Sequence, residues 1–223
     1  MGTPTAPANF AQRQRGSLKS QETPGNSYLD ILAKGVYIYS QTYTNDTMPI
    51  IVTDSSSLIL LAKCTLLEIL GDLFSILVPQ EVMNEVISPE SVKMYADAKI
   101  ISHLVSIGKI EVVKVEPISL GIEIGIHKGE LEALILAKKW IGSILATDDG
   151  KAIKACRFLD IPFIITPKIV LELFRLDKIT YEKAKAALEK LKIIGRYSPE
   201  IIGEAFLKLM EEKHVKANNH KNP

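Results

Sequence analysis

The chain has 223 residues, 47% of them hydrophobic and 24% charged, with 27 Lys and Arg against 26 Asp and Glu. Such a composition suits a folded globular protein of one domain with an extension, or at most two small domains. A net charge of +1 provides no bulk attraction for a polyanion, so any nucleic-acid reading must rest on a local site.

Residues 1–47 stand apart. The opening MGTPTAPANFAQRQRGSLKSQETPGNS is rich in Pro, Gly, Ser, Thr and Gln and cannot bury enough surface to offset its ordering entropy. A short apolar patch, Tyr28 to Tyr39, follows it. This region is read as a flexible or non-native extension, with Met48 as the expected start of the functional unit. From Pro49 onward, short apolar runs alternate with helical patterns. Pro49–Thr53 reads as a buried strand leading into a helix from about Ser57 to Leu70. Phe74–Val78 is a second strand, ended by Pro79 and followed by a helix to about Ile87. Ser88-Pro89-Glu90 has the form of an N-cap with Pro at the first helical position, opening a helix that ends near Gly108. Ile110–Val115 is the third strand and Lys128–Trp140 a helix. Ser143–Thr147 is the fourth strand, Gly150–Leu159 a helix and Pro162–Ile165 the last strand. Three helical segments close the chain, the final one capped by Ser198-Pro199-Glu200. Strands separated by helices of this length predict βαβ units and a parallel sheet. The expected boundaries are an extension over 1–47, a catalytic unit over 48–213 and a polar tail over 214–223.

In open parallel sheets, ligands collect at the carboxyl ends of the strands. Asp54 follows the first strand, and Asp148 and Asp149 follow the fourth. Each could merely cap the helix behind it, but two strands ending in aspartate favour a shared site. Glu85 lies on the helix after Pro79. Glu130 and Glu132 open the Lys128–Trp140 helix, where acids also favour the dipole. Hard cations such as Mg²⁺ bind through carboxylate oxygens, and a pair of them can drive phosphodiester cleavage. This chemistry needs carboxylates from several elements and neither cysteine nor histidine.

Thr53-Asp54-Ser55-Ser56-Ser57-Leu58-Ile59, then Val78-Pro79 with Glu85-Val86, then Gly129-Glu130 through Ala137, then Leu145-Ala146-Thr147-Asp148-Asp149 resemble the four ordered acidic motifs of PIN domains. The nearest likeness is to compact prokaryotic members related to VapC-type toxins. The resemblance covers about Met48 to Leu176 with its motifs. It implies a Rossmann-like three-layer α/β fold, with a central parallel sheet flanked by helices. It further implies Mg²⁺ or Mn²⁺ and endonucleolytic cleavage of RNA. Carried over by motif, Asp54, Glu85, Glu130 and Asp148 form the catalytic metal site. Ser56 braces Asp54, and Asp149 supports the second metal or a bound water. Glu132 competes with Glu130, and Asp149 with Asp148; the first of each pair is taken as primary and the second as supporting. The closing helices are expected to serve dimerisation or RNA docking.

Other features are weaker. Lys151, Lys154 and Arg157 share one helix after the Asp148-Asp149 motif and could contact RNA phosphates or form a solvated face. His127 and Glu130 make an i, i+3 pair with no second cluster to complete a transition-metal site. His103, His214 and His220 look unpaired. Gly121, Gly125 and Gly129 lack the spacing of a nucleotide cradle. Cys64 and Cys156 form no CxxC pair and read as reduced core residues. No apolar run reaches the ~18 residues of a membrane span, and no secretory signal opens the chain, so a cytoplasmic protein with no membrane partner is expected. The expected function is a divalent-metal-dependent endoribonuclease, the toxin of a toxin–antitoxin pair, with RNA, a cognate antitoxin and a second copy of itself as partners. Two rivals are a catalytically silent RNA-binding module with the same fold and a Mg²⁺-binding, phosphate-receiving α/β regulator.

Overall fold

The computed structural model describes residues 48–121 and 125–219. The expected extension over 1–47, with its Tyr28–Tyr39 patch, lies outside the described residues.

Five short strands form one parallel sheet: β1 (Ile50–Thr53), β2 (Ser75–Pro79), β3 (Ile110–Val113), β4 (Ile144–Ala146) and β5 (Phe163–Ile164), in the spatial order β3-β2-β1-β4-β5. Parallel strands are covered on both faces and so read as continuous apolar runs. Side chains alternate between two cores. Ile51, Ile76, Val78, Ile144, Ala146 and Ile164 enter one, while Val52, Leu77 and Leu145 enter the other. The first core is closed by α1 (Ser55–Lys63), α2 (Leu67–Gly71), α3 (Gln80–Val86), α5 (Ala96–Ser106) and the closing helices α8 (Thr166–Arg175), α9 (Tyr181–Ile194) and α10 (Pro199–Asn219). The second is closed by α6 (Lys128–Lys139) and α7 (Gly150–Leu159). The α4 helix (Pro89–Met94) buries none of its residues and begins at the Ser88 cap, whose hydroxyl accepts from the Ser91 backbone N–H. The result is the expected three-layer α/β arrangement. Among the described residues, no helix is long and apolar enough to cross a membrane.

Two helices expected as single pieces are each broken. The segment expected as one helix from Ser57 to Leu70 stops at Lys63 and restarts at Leu67. The Thr65 and Leu66 N–H groups turn back to the carbonyls of Ala62 and Leu61, both at 3.0 Å, with Thr65 at φ 55°. This is the double closure that usually has glycine in its left-handed position, so a β-branched threonine conceals it. Exposed Thr65 holds a conformation costing an L-residue about 1 kcal/mol. Thr65→Gly is therefore expected to raise the urea unfolding midpoint by an equivalent of about 1 kcal/mol; a fall would mean that the Thr65 hydroxyl bond to the Cys64 carbonyl at 2.7 Å matters more. The second break is at Tyr95, which is extended between α4 and α5. It turns the α5 residues Ala98, Ile101 and Leu104 inward after an α4 that buries nothing. The third strand ends at Val113, two residues short of the expected Val115. At the other end, α10 continues to Asn219, so residues 214–219 of the expected polar tail are helical.

The closing helices are held by polar as well as apolar contacts. Lys216 on α10 donates to the Phe174 carbonyl at 2.9 Å and lies 4.9 Å from the centre of that ring. Lys213 sits 3.8 Å from the centre of the Tyr181 ring. Glu172, only 3% exposed, is paired with Lys168 at 2.9 Å and with Arg175.

Candidate active site

The strand order places the candidate site. Chain order runs outward from β1 through β2 to β3, then resumes on the opposite side of β1 with β4. The carboxyl ends of β1 and β4 therefore flank the point where the winding reverses, the usual crevice of an open α/β sheet. Asp54 leaves β1 there, and Asp148 and Asp149 leave β4.

Asp54 is 1% exposed. One of its oxygens accepts the Ser57 backbone N–H at 2.8 Å, as the N-cap of α1, and the Ser56 hydroxyl at 2.9 Å. The other oxygen accepts the Thr147 hydroxyl. Burial pushes Asp54 up to about 6, against the lowering effect of these three donors; the nearby Asp148 charge adds a smaller upward push. Ser56 thus donates to the carboxylate it was expected to brace.

The three serines that open α1 each donate to a different acid. Ser55 donates to a Glu85 oxygen, Ser56 to Asp54, and Ser57 to Asp148 at 2.7 Å. Glu85 in turn lies directly over the start of α6. A Cβ on Gly129 would stand 2.5 Å from Glu85 Oε1 and 2.9 Å from its carboxyl carbon. Glu130, one residue on, accepts the His127 backbone N–H at 3.1 Å. Its carboxyl is held above the ordinary range, first by partial burial and also by the charges of Asp149 and Glu85. Carboxylates from α3, α6 and the β4–α7 turn thus repel one another across one small region. The His127–Glu130 pair is accounted for as a helix start.

Glu130 and Glu132 each hold one backbone N–H, whereas Asp148 and Asp149 differ in how much they already hold. Glu132 accepts the Glu81 backbone N–H at 3.2 Å, tying α6 to the first turn of α3. Asp149 caps α7, one oxygen accepting the N–H groups of Lys151 at 2.7 Å and Ala152 at 2.9 Å. Its second oxygen accepts no hydrogen bond among the described residues. Asp148 is different. One oxygen accepts the Thr166 N–H at 2.9 Å and the Tyr197 hydroxyl at 2.6 Å; the other accepts the hydroxyls of Ser57 and Thr166. A carboxylate offers about four lone-pair positions, and Asp148 has committed all of them. Thr166 and Tyr197 were not singled out in the sequence, and nothing local marks them, since they lie 18 and 49 residues from Asp148.

The basic helix face is also partly committed. Lys151 donates to the Gly125 carbonyl at 2.7 Å, and Arg157 lies 5.8 Å from the centre of the Phe163 ring. Cys64 and Cys156 are free, buried thiols, as expected. The small apolar cavity between Leu70, Phe74, Ile169 and Leu173 contains none of the candidate acids.

A PIN-domain family model matches residues 50–212, from the first strand into the last helix. The chain belongs to the PIN-domain family. Its members are in general nucleases and typically use divalent metals. No curated protein sequence matches the chain.

The donor chemistry suits such an ion. Asp54, Glu85, Glu130, Glu132 and Asp149 each keep an oxygen lone pair uncommitted, and all are hard ligands. Among the described residues, no three acidic, histidine or cysteine side chains close into a ready-made cage. Mg²⁺ does not require one, since it keeps several waters and is commonly held by one or two carboxylates together with substrate phosphates.

Proposed function

We propose that the protein is a divalent-metal-dependent endoribonuclease, with Asp54, Glu85, Glu130 and Asp149 holding Mg²⁺ or Mn²⁺. One observation carries this reading: Asp54 and Asp149 leave the two strands that flank the sheet's winding reversal, and the Glu130 carboxyl is held above its ordinary range by partial burial and by the charges of Asp149 and Glu85. Bound there, the metal would supply Lewis-acid stabilisation of the scissile phosphate and a more acidic attacking water. The chain's own part is orientation. Thr147 and the serines fix Asp54 and Glu85, while the amide groups opening α7 fix Asp149. Of the basic residues, Lys154 is the first to test as a phosphate contact, because Lys151 and Arg157 already have partners within the fold.

RNA as substrate, and a toxin role with an antitoxin and a homodimer, extend the motif resemblance to VapC-type proteins. The test is cleavage of single-stranded RNA and DNA oligonucleotides with and without Mn²⁺ or Mg²⁺, alongside induced expression in growing cells. Metal-dependent RNA cleavage with growth arrest is expected. Cleavage of DNA alone would remove the ribonuclease reading, and normal growth would remove the toxin role.

A ligand that binds only the native state adds about 2.7 kcal/mol of stability at a hundredfold excess over its Kd. Millimolar Mn²⁺ is therefore expected to raise the unfolding temperature, and to do so less in Asp149→Asn. An equal rise in both proteins would take Asp149 out of the metal site.

A further inference from the structure

The most heavily bonded carboxylate of the candidate site is Asp148, and its partners come from three separate parts of the chain. Ser57 belongs to α1, Thr166 opens α8, and Tyr197 lies in the short linker between α9 and α10. The linker is shaped for this contact, since a Cβ at Gly195 would overlap the Tyr197 ring. Burial, with the adjoining Asp148 charge, pushes the Tyr197 phenol far above its usual range, so it stays a donor. Ser57 has a second role, because its backbone N–H binds the same Asp54 oxygen that Ser56 braces. Thr147, immediately before Asp148, donates to the other Asp54 oxygen.

We propose that Asp148 is a positioning residue, and that through Ser57 and Tyr197 it locks the closing helical pair α9–α10 to the carboxylate of Asp54. The inference rests on the nuclease reading above. With its lone pairs filled by protein donors, Asp148 has none to offer an ion. What it does have is a grip on Ser57, and hence on the head of the helix that orients Asp54. The closing helices then act at the site without touching substrate. Loss of the Tyr197 hydroxyl loosens Asp148, which loosens Ser57 and lets the Asp54 carboxylate wander.

The test compares the full-length wild type with Tyr197→Phe, Ser57→Ala, Asp148→Asn and Asp149→Asn. Each is assayed on a single-stranded RNA oligonucleotide with Mn²⁺, well below its unfolding temperature, with the Mn²⁺-induced rise in that temperature recorded. Partners that orient metal ligands typically account for about 10–100-fold in activity or metal affinity. Tyr197→Phe and Ser57→Ala are each expected to lower kcat by about 10-fold or more with KM for RNA little changed. The double variant is expected to be no worse than the product of the singles and closer to the worse single, because both act through one carboxylate. Asp148→Asn should keep a larger Mn²⁺-induced rise than Asp149→Asn. A purely structural role predicts lower unfolding temperatures with wild-type kcat, and that result in Tyr197→Phe and Ser57→Ala overturns the proposal. So does a reduction of the Mn²⁺ effect in Asp148→Asn as large as in Asp149→Asn. Should Asp148→Asn fail to fold, Tyr197→Phe, which keeps the ring, decides alone. A wild type without Mn²⁺-dependent cleavage sinks the nuclease reading and this inference with it, whereas cleavage by wild type with unchanged kcat in Tyr197→Phe and Ser57→Ala sinks this inference alone.

Discussion

Asp54→Asn is expected to abolish cleavage and, in the metal-free protein, to raise stability. Asp54 is almost fully enclosed, and burial pushes it up to about 6. The unfolded chain releases that proton near the ordinary carboxylate value of 3.8. Between those two values the folded protein holds a proton that the unfolded chain has lost. Stability therefore falls as pH rises through this window and stays reduced above it, by something on the order of 2–3 kcal/mol. Asparagine removes the charge and its pH dependence while still capping α1. In chelator-treated protein, the variant should equal or exceed wild type at pH 7.5, with little advantage at pH 4. Cleavage should fall by more than about 100-fold, since even residues that only orient metal ligands account for up to that much. The two measurements move in opposite directions, as expected of a group retained for chemistry at some cost in stability. A simple N-cap, buried in the same way, predicts the same gain in stability with cleavage unchanged. Wild-type cleavage by a pure Asp54→Asn preparation would leave the nuclease reading without its deepest ligand.

The strands and the acids at their ends were legible because both are local signals. A parallel strand covered on two faces is an apolar run wherever it occurs, and Asp54 and Asp149 stand where the chain turns from strand to helix. The helix break at Thr65 was not legible, because its closure uses a threonine in the position where glycine would have announced it. The break at Tyr95 carries no residue that forbids helix. The division of labour between Asp148 and Asp149 was hidden for a different reason. Adjacent aspartates look alike in sequence, and what separates them is how many donors reach each carboxylate. Those donors come from α1, the head of α8 and the α9–α10 linker, brought together only by the fold. Glu130 and Glu132 look alike by this count as well, each accepting one backbone N–H, from His127 and from Glu81. Local chemistry gives the inventory of acids; the count of protein hydrogen bonds sets Asp148, with all its lone pairs in use, apart from its neighbour Asp149.

Gly129→Ala offers a second separation of chemistry from stability, without changing any acid. Alanine is normally favoured over glycine within a helix by about 0.5–1 kcal/mol, and Gly129, though buried, lies in the first turn of α6, where part of that gain applies. Its added methyl, however, would occupy the space of the Glu85 carboxylate, 2.5 Å from Oε1 and 3.0 Å from Oε2. A glutamate side chain can swing aside at little energetic cost, so the fold should tolerate the change and the unfolding temperature should hold or rise. The carboxylate, once displaced, leaves its place beside Ser55 and Glu130. If Glu85 holds the metal, cleavage should drop by about 10–100-fold, since a misplacement of about an ångström can remove that much rate. Lower affinity for Mn²⁺ should accompany it, so that higher metal concentration partly restores the rate. Gly129→Ser, with a similar clash but a hydroxyl that can bond the carboxylate, should fall between the two. If Glu85 were only a solvated charge on α3, its displacement would leave kcat and the metal requirement unchanged. A fully active Gly129→Ala enzyme with wild-type Mn²⁺ dependence would therefore take Glu85 out of the site and leave Asp54, Glu130 and Asp149 to hold the ion.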